Sequence, residues 1–327
     1  FKSRNIGQQI QEEVDFHDHK KGTPTMGGIF IVFGTFAGYS LSHINFWTIG
    51  QGFKVEITSM NMNVLLILIL ALLMALVGLL DDSLKVKAGR NLGLKPSQKF
   101  SLQFLVGLLC SYYFIYLNYD SSFYFFSGLG FDIGFAKWVI VIFFIVGITN
   151  SVNFTDGLDG LVAGSSAISF GGILIISFWI YRHPEYYSKF IGQDFLTVDI
   201  SLLISAVAGA CLGFLWWNTN PAKIIMGDVG SHFIGALFPL ILLALGTDGL
   251  IFFFCFLFIL EGISVVIQIL SFKYRKKRVF KMAPIHHHFE MNNWAETTII
   301  VRFWIINGIA VVIGLGLFYA DYVLFGQ

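Results

Sequence analysis

Residues 63–82 read NVLLILILALLMALVGLLDD. Eighteen residues without charge or proline run straight into two adjacent carboxylates, Asp81 and Asp82. As a helix the uncharged part extends about 27 Å, close to the roughly 30 Å hydrocarbon core of a bilayer. A transmembrane barrel strand would instead alternate polar and apolar residues over about ten positions. The stretch therefore predicts a membrane-spanning helix that delivers two acids to the membrane boundary. The quoted stretch lies in the run near 61–80, and eight further runs have the same character, near 27–48, 98–118, 134–151, 160–181, 198–217, 230–246, 249–271 and 298–320. Glycine, proline and charge punctuate their ends. The expected fold is an all-α integral membrane protein, a polytopic bundle with nine visible spans, forming one domain over residues 1–327.

Composition agrees. Hydrophobic residues make up 56% of the chain and charged residues 13%, against about 25% charged in soluble domains. The mean hydropathy of +0.73 excludes an ordinary soluble domain. Cys110, Cys211 and Cys255 are scattered through apolar runs without metal or disulfide spacing and read as small core hydrophobes. No nucleic-acid partner is expected.

The basic residues are unevenly divided. Lys2, Arg4, Lys20, Lys21, Lys85, Lys87, Arg90, Lys95, Lys99, Lys223, the cluster Lys273, Arg275, Lys276, Lys277, Arg278 and Lys281, and Arg302 fall on one side of the predicted topology. Only Lys54, Lys137, Arg182 and Lys189 fall on the other. Lys and Arg mark the cytoplasmic side, and the candidate chemistry lies there too. That coincidence predicts an enzyme with a cytoplasm-facing site. A transporter or lipid flippase would be expected to place ionisable groups near the bilayer midplane in paired halves; Glu261 and Gln268 lie inside a run, but no internal symmetry accompanies them.

Several constellations carry this chemistry. Asn150–Gly160 reads NSVNFTDGLDG, with Asn153, Asp156 and Asp159 three apart on one face of a helical turn; an Asx-rich turn is the plainer alternative. In NTNPAKIIMGDVG, residues 218–230, Asn218 and Asp228 bracket a loop. Asp228 is either a helix N-cap or a hard oxygen ligand for Mg²⁺. KKGTPTMGG, residues 20–28, offers Lys20, Lys21, Thr23 and a glycine pair suited to phosphate. Its lysines, like Lys85, Lys99 and the 273–281 cluster, would equally serve anionic lipid headgroups. MAPIHHHFE, residues 282–290, is a polar island with His286, His287 and His288 between apolar runs. Carboxylates imply Mg²⁺, and Mg²⁺ beside Lys and Arg implies phosphate, so the residues point to phosphoryl transfer from a soluble donor to a lipid acceptor.

GTPTMGG, the Asp81–Asp82 pair, NFTDGLDGL, NTNPAKIIMGDVGS and MAPIHHHFE occur in order between residues 22 and 290. Together they resemble the phospho-N-acetylmuramoyl-pentapeptide-transferases, a branch of the polyprenyl-phosphate N-acetylhexosamine-1-phosphate transferase superfamily. The resemblance implies ten transmembrane helices, so a helix upstream of the nine is expected. It implies a bacterial inner-membrane enzyme with a cytoplasmic site and, as an oligomer, a homodimer. The implied reaction passes phospho-MurNAc-pentapeptide from UDP-MurNAc-pentapeptide to undecaprenyl phosphate with Mg²⁺, yielding lipid I and UMP for peptidoglycan synthesis. By similarity Asp228 is the metal ligand, with Asn153 metal-proximal. Asp81 and Asp82 stand near the diphosphate and lipid phosphate, Asp81 as candidate base. Asn153, Asp156, Asp159 and Asn218 resemble the nucleotide set, and His286, His287 and His288 the family's histidine cluster, with His287 foremost in catalysis. Lys20, Lys21, Thr23, Lys85, Lys99 and Gln268 complete the expected substrate contacts. Ile225 departs from the pattern, since the family often carries an aromatic there. The closest alternative is a sister transferase that takes UDP-GlcNAc.

Overall fold

The apolar runs close their backbone hydrogen bonds within each segment, because lipid offers no partners. The computed structural model describes residues 22–48, 52–88, 93–117, 119–126, 129–189, 191, 195 and 197–325. In chain order the elements are α1 (Gly28–Leu41), β1 (Ile44–Thr48), β2 (Gly52–Ile57), α2 (Met62–Ala88), α3 (Pro96–Tyr116), β3 (Ser122–Phe126), β4 (Leu129–Asp132), α4 (Ala136–Thr155), α5 (Leu161–Arg182), α6 (Pro184–Tyr187), α7 (Val198–Asn218), α8 (Gly227–Ala244), α9 (Ile251–Phe254), α10 (Phe256–Arg275), α11 (Ile285–Glu290) and α12 (Glu296–Phe325).

The chain is a polytopic α-helical membrane protein. Among the described residues, seven helices, α2, α4, α5, α7, α8, α10 and α12, are long and apolar enough to cross a bilayer. Other predicted spans are helical but differ. α1 stops at Leu41 after 14 residues, because the chain turns into strand β1 instead of running on to residue 48. α3 has 21 residues, but Lys99, Gln103 and three serines lower its apolarity. The run 249–271 divides at Cys255 into α9 and α10. The antiparallel hairpins β1–β2, with Ile44 opposite Ile57, and β3–β4, with Ser122 opposite Asp132, were not part of an all-α expectation. Their strands adjoin apolar runs, so short period-two segments merge with helical hydrophobicity. The three cysteines are buried and free.

α8 is the hub, buried without a break from Asp228 to Ala244. Small residues let its neighbours approach. A Cβ on Gly78 of α2 would overlap the carbonyl of Asp228, one on Gly28 of α1 would strike the backbone of Gly230, and one on Gly235 would strike the backbone of Thr149 on α4. On the α5 side, Phe170 and Phe238 stack with ring centroids 4.1 Å apart. The N-termini of α1, α3, α5, α8 and α12 and the C-termini of α2, α4, α7 and α10 gather at one end. At the other end Tyr119 donates to the carbonyl of Ala244 and Lys137 lies 3.4 Å from Asp248.

Candidate active site

The close approach at Gly78 sets the last turns of α2 against the first turn of α8. It brings Asp81, Asp82 and Asp228 together, one carboxylate oxygen from each lying within 4.8 Å of the others. All three side chains are buried. Like charges this close need cations to answer them, and two lysines do so. Lys85 Nζ lies 2.7 Å from Asp81 Oδ2, 3.0 Å from Asp228 Oδ2 and 3.6 Å from Asp82 Oδ1. Its position four residues after Asp81 puts it on the same face of α2. Lys99, on the first turn of α3, places Nζ 2.6 Å from Asp228 Oδ2 and 3.4 Å from Asp81 Oδ2.

Backbone and amide donors fix the carboxylates. The Leu94 N–H donates to Asp81 Oδ1 (2.7 Å) and the Val229 N–H to Asp82 Oδ2 (3.3 Å). Asn153 Nδ2 donates to Asp228 Oδ1 (2.8 Å) and to Ser231 Oγ (3.0 Å). Three carboxylates against two ammonium groups leave the cluster one negative charge in excess. Hard oxygen donors with excess negative charge fit a Mg²⁺ ion, which prefers few protein ligands and open positions.

Asp156 follows α4, and its Oδ2 accepts the Gly227 N–H at 3.1 Å. Burial, reinforced by the charges of Asp228 and Asp82, holds its carboxyl well above the usual carboxylate range. A folded-state pKa above the unfolded one means that folding stability falls as pH rises between those two values. Asp156→Asn, measured without divalent cation, is therefore expected to raise Tm at alkaline pH. The gain should shrink as pH is lowered and vanish near about pH 4; thermal unfolding across a pH series checks it.

Asp159 and Asn218 brace the loop leading into α8. Asn218 Oδ1 accepts the Gly160 N–H (3.1 Å) and its Nδ2 donates to the Ile224 carbonyl (2.8 Å). Asp159 Oδ2 accepts the Ala222 N–H (2.9 Å). Glu296, at the start of α12 and missed by sequence reasoning, accepts from the Asp159 N–H and from Asn220 Nδ2, both at 2.9 Å. The only sequence signal for it was an acid opening the last span. Thr23 precedes Pro24, whose carbonyl accepts the Ile225 N–H, while the Gly27 and Gly28 N–H groups donate to Ile225 and Met226, all at 2.8 Å. The 23–28 segment thus runs beside the residues just before Asp228. Lys20 and Lys21 lie outside the described residues.

The histidine island forms α11. His286 is fully buried, its Nδ1 3.1 Å from Glu261 Oε1, which gives the intramembrane acid its partner. The Nε2 edge of the ring packs on Gly157, where no Cβ would fit. His287 Nδ1 meets Glu290 Oε2 at 2.5 Å, and its ring lies 4.1 Å from that of His286. His288 Nδ1 accepts the Lys281 N–H (3.1 Å) and its Nε2 meets Asn292 Nδ2 (3.2 Å). Gln268 Oε1 accepts the Val279 and Phe280 N–H groups, and its Nε2 donates to the Phe280 carbonyl. His288 and Gln268 therefore shape the basic loop, whereas His286, through Gly157 and Asp156, connects the island to the loop before Asp228.

Residues 64–246 match the family model described as glycosyl transferase family 4, and residues 20–32 match phospho-N-acetylmuramoyl-pentapeptide-transferase signature 1. A phospho-N-acetylmuramoyl-pentapeptide-transferase of Frankia casuarinae is 41% identical, the match covering 100% of this chain and 92% of that protein. Those of Nocardia farcinica and Corynebacterium diphtheriae are 39% and 38% identical, each match covering 98% of this chain and 92% of the relative. With such identity sustained over nearly its full length, the chain belongs to the phospho-N-acetylmuramoyl-pentapeptide-transferase family.

Proposed function

We propose that the chain is a membrane phosphoglycosyl transferase that passes phospho-MurNAc-pentapeptide from UDP-MurNAc-pentapeptide to undecaprenyl phosphate, forming lipid I and UMP in peptidoglycan synthesis. The observation that carries this reading is the buried Asp81–Asp82–Asp228 cluster with Lys85 and Lys99 at one end of an apolar bundle. A water-soluble diphosphate and a lipid phosphate can both reach such a boundary. The enzyme is multi-pass in the bacterial cytoplasmic membrane. Its site faces the cytoplasm, because the basic loop residues 273–281 and Lys223 share the cluster's end of the bundle.

The acceptor phosphate loses its second proton near pH 6, so it arrives already nucleophilic. One of its oxygens attacks the donor phosphorus that bears the sugar. A new P–O bond forms, the bond to the bridging oxygen breaks, and UMP leaves with the electron pair. Lys85 and Lys99 stabilise the charge shifting onto the phosphoryl oxygens. Asp81 and Asp82 act on the two phosphates through the ammonium groups they hold, Asp81 both Lys85 and Lys99 and Asp82 Lys85, while Asp156, Asp159, Asn218 and Thr23 shape the nucleotide side. Asp228 and the carbonyl oxygen of Asn153 would hold Mg²⁺, which when bound supplies charge neutralisation on the diphosphate. His287, oriented by Glu290, serves the diphosphate. Glu290→Gln is expected to lower kcat about tenfold with little change in the KM for UDP-MurNAc-pentapeptide, as steady-state UMP release would measure.

The reading is tested with purified protein in detergent. UMP should appear only when UDP-MurNAc-pentapeptide and undecaprenyl phosphate are both present. Equal turnover of UDP-GlcNAc would overturn the muramoyl assignment, and UMP release without the lipid would overturn the transfer itself.

A further inference from the structure

Beneath the carboxylates a second polar layer crosses the bundle. Gln103 on α3 and His232 on α8 are fully buried there, and Asn150 on α4 joins them partly buried. Asn150 Nδ2 donates to the carbonyl of Val146 and to Gln103 Oε1, both at 2.8 Å. The Val146 carbonyl fixes which end of the Asn150 amide is nitrogen, and that in turn orients the Gln103 amide. Gln103 Nε2 then faces Asn150 Oδ1 at 3.3 Å and His232 Nε2 at 2.9 Å. A donor opposite His232 Nε2 makes that atom an acceptor, so the ring carries its proton on Nδ1.

Each member stands one turn from a residue of the cluster on its own helix. Gln103 follows Lys99 by four, Asn150 precedes Asn153 by three, and His232 follows Asp228 by four. Lys99 and Asn153 both meet Asp228, at 2.6 and 2.8 Å, beside Lys85 of α2 at 3.0 Å. Two successive layers therefore tie the same three helices. Apolar side chains of similar volume would fill the lower layer, but dispersion contacts tolerate rotation and slip that directional hydrogen bonds do not.

We propose that Gln103, Asn150 and His232 are positioning residues for the phosphoryl transfer: they set the rotation and register of α3, α4 and α8 so that Lys99 and Asn153 converge on Asp228. This rests on the transferase reading above. The test compares Gln103→Leu with the all-apolar triple Gln103→Leu, Asn150→Leu, His232→Leu, following Tm, kcat, KM and the Mg²⁺ concentration for half-maximal rate. Gln103→Leu should lower Tm and kcat together, because it leaves buried polar atoms unpaired. The triple variant should regain Tm yet keep kcat about tenfold or more below wild type, need more Mg²⁺, and leave the KM for UDP-MurNAc-pentapeptide within about twofold. Recovery of kcat along with Tm would overturn the inference and leave the layer as packing. Gln103→Asn, which keeps the amide but withdraws it by one methylene, decides the matter should the triple not assemble: a lowered kcat at near-native Tm supports positioning, and wild-type kcat overturns it. A wild-type chain that releases no UMP would defeat the transferase reading and this inference with it, whereas unaltered variants of an active chain defeat the inference alone.

Discussion

Asp228→Asn is expected to cut UMP release about 10³-fold while leaving the fold intact. Asp228 is the one residue of the cluster that both lysines and the Asn153 amide address at once. Losing its charge takes the cluster from one negative charge in excess to neutrality, which removes the electrostatic reason for a divalent cation to enter. Asparagine keeps the shape, and Asp81 still partners Lys85 and Lys99, so Tm should hardly move. Steady-state assay and thermal unfolding of the same preparation read both quantities. A loss below about tenfold would take Asp228 out of the chemistry.

Gly78→Ala should have the second-largest effect, without touching a single ionisable group. The added methyl would lie 2.5 Å from the carbonyl carbon of Asp228 and 2.9 Å from the Val229 nitrogen. Both are backbone atoms of the central helix and cannot swing aside. α2 must therefore move off α8, carrying Asp81 and Asp82 away from Asp228. Overpacking of this kind costs about 1–3 kcal/mol, and a misplacement near 1 Å is enough for about a 10²-fold loss of rate. The expected signature is a fall in kcat together with a fall in Tm, which separates it from Asp228→Asn. Native activity in Gly78→Ala would mean that the α2–α8 distance does not set the site.

These two variants also mark what the sequence made legible. Asp81 and Asp82 stood out because an uncharged run of span length ended on them, and the bundle follows from that pattern repeated. Their meeting with Asp228 was expected only through the family resemblance, since local pattern says nothing about a residue roughly 150 positions away. Gly78 carried no signal as a contact point; glycine in an apolar helix reads as composition until its neighbour is known. Glu296 and Glu290 were passed over for a related reason. Glu296 works by bridging Asp159 and Asn220, distant loops that only the fold brings together. Glu290 closed the quoted histidine motif, but its pairing with His287 depends on α11 forming a helical turn. Gln268 and His288 were legible as polar residues in apolar or basic surroundings. Their hydrogen bonds show a loop-bracing role that composition alone does not distinguish from substrate contact. The hairpins escaped because their strands border helical runs of similar apolarity.

The rest depends on a divalent cation binding at Asp228, within the cluster of three converging carboxylates. Titration of the purified chain with Mn²⁺, a spin-active stand-in for Mg²⁺, followed by electron paramagnetic resonance, tests it without any turnover. One Mn²⁺ should bind per chain, be displaced by Mg²⁺, and be absent in Asp228→Asn. Equal Mn²⁺ binding by wild type and Asp228→Asn would contradict it.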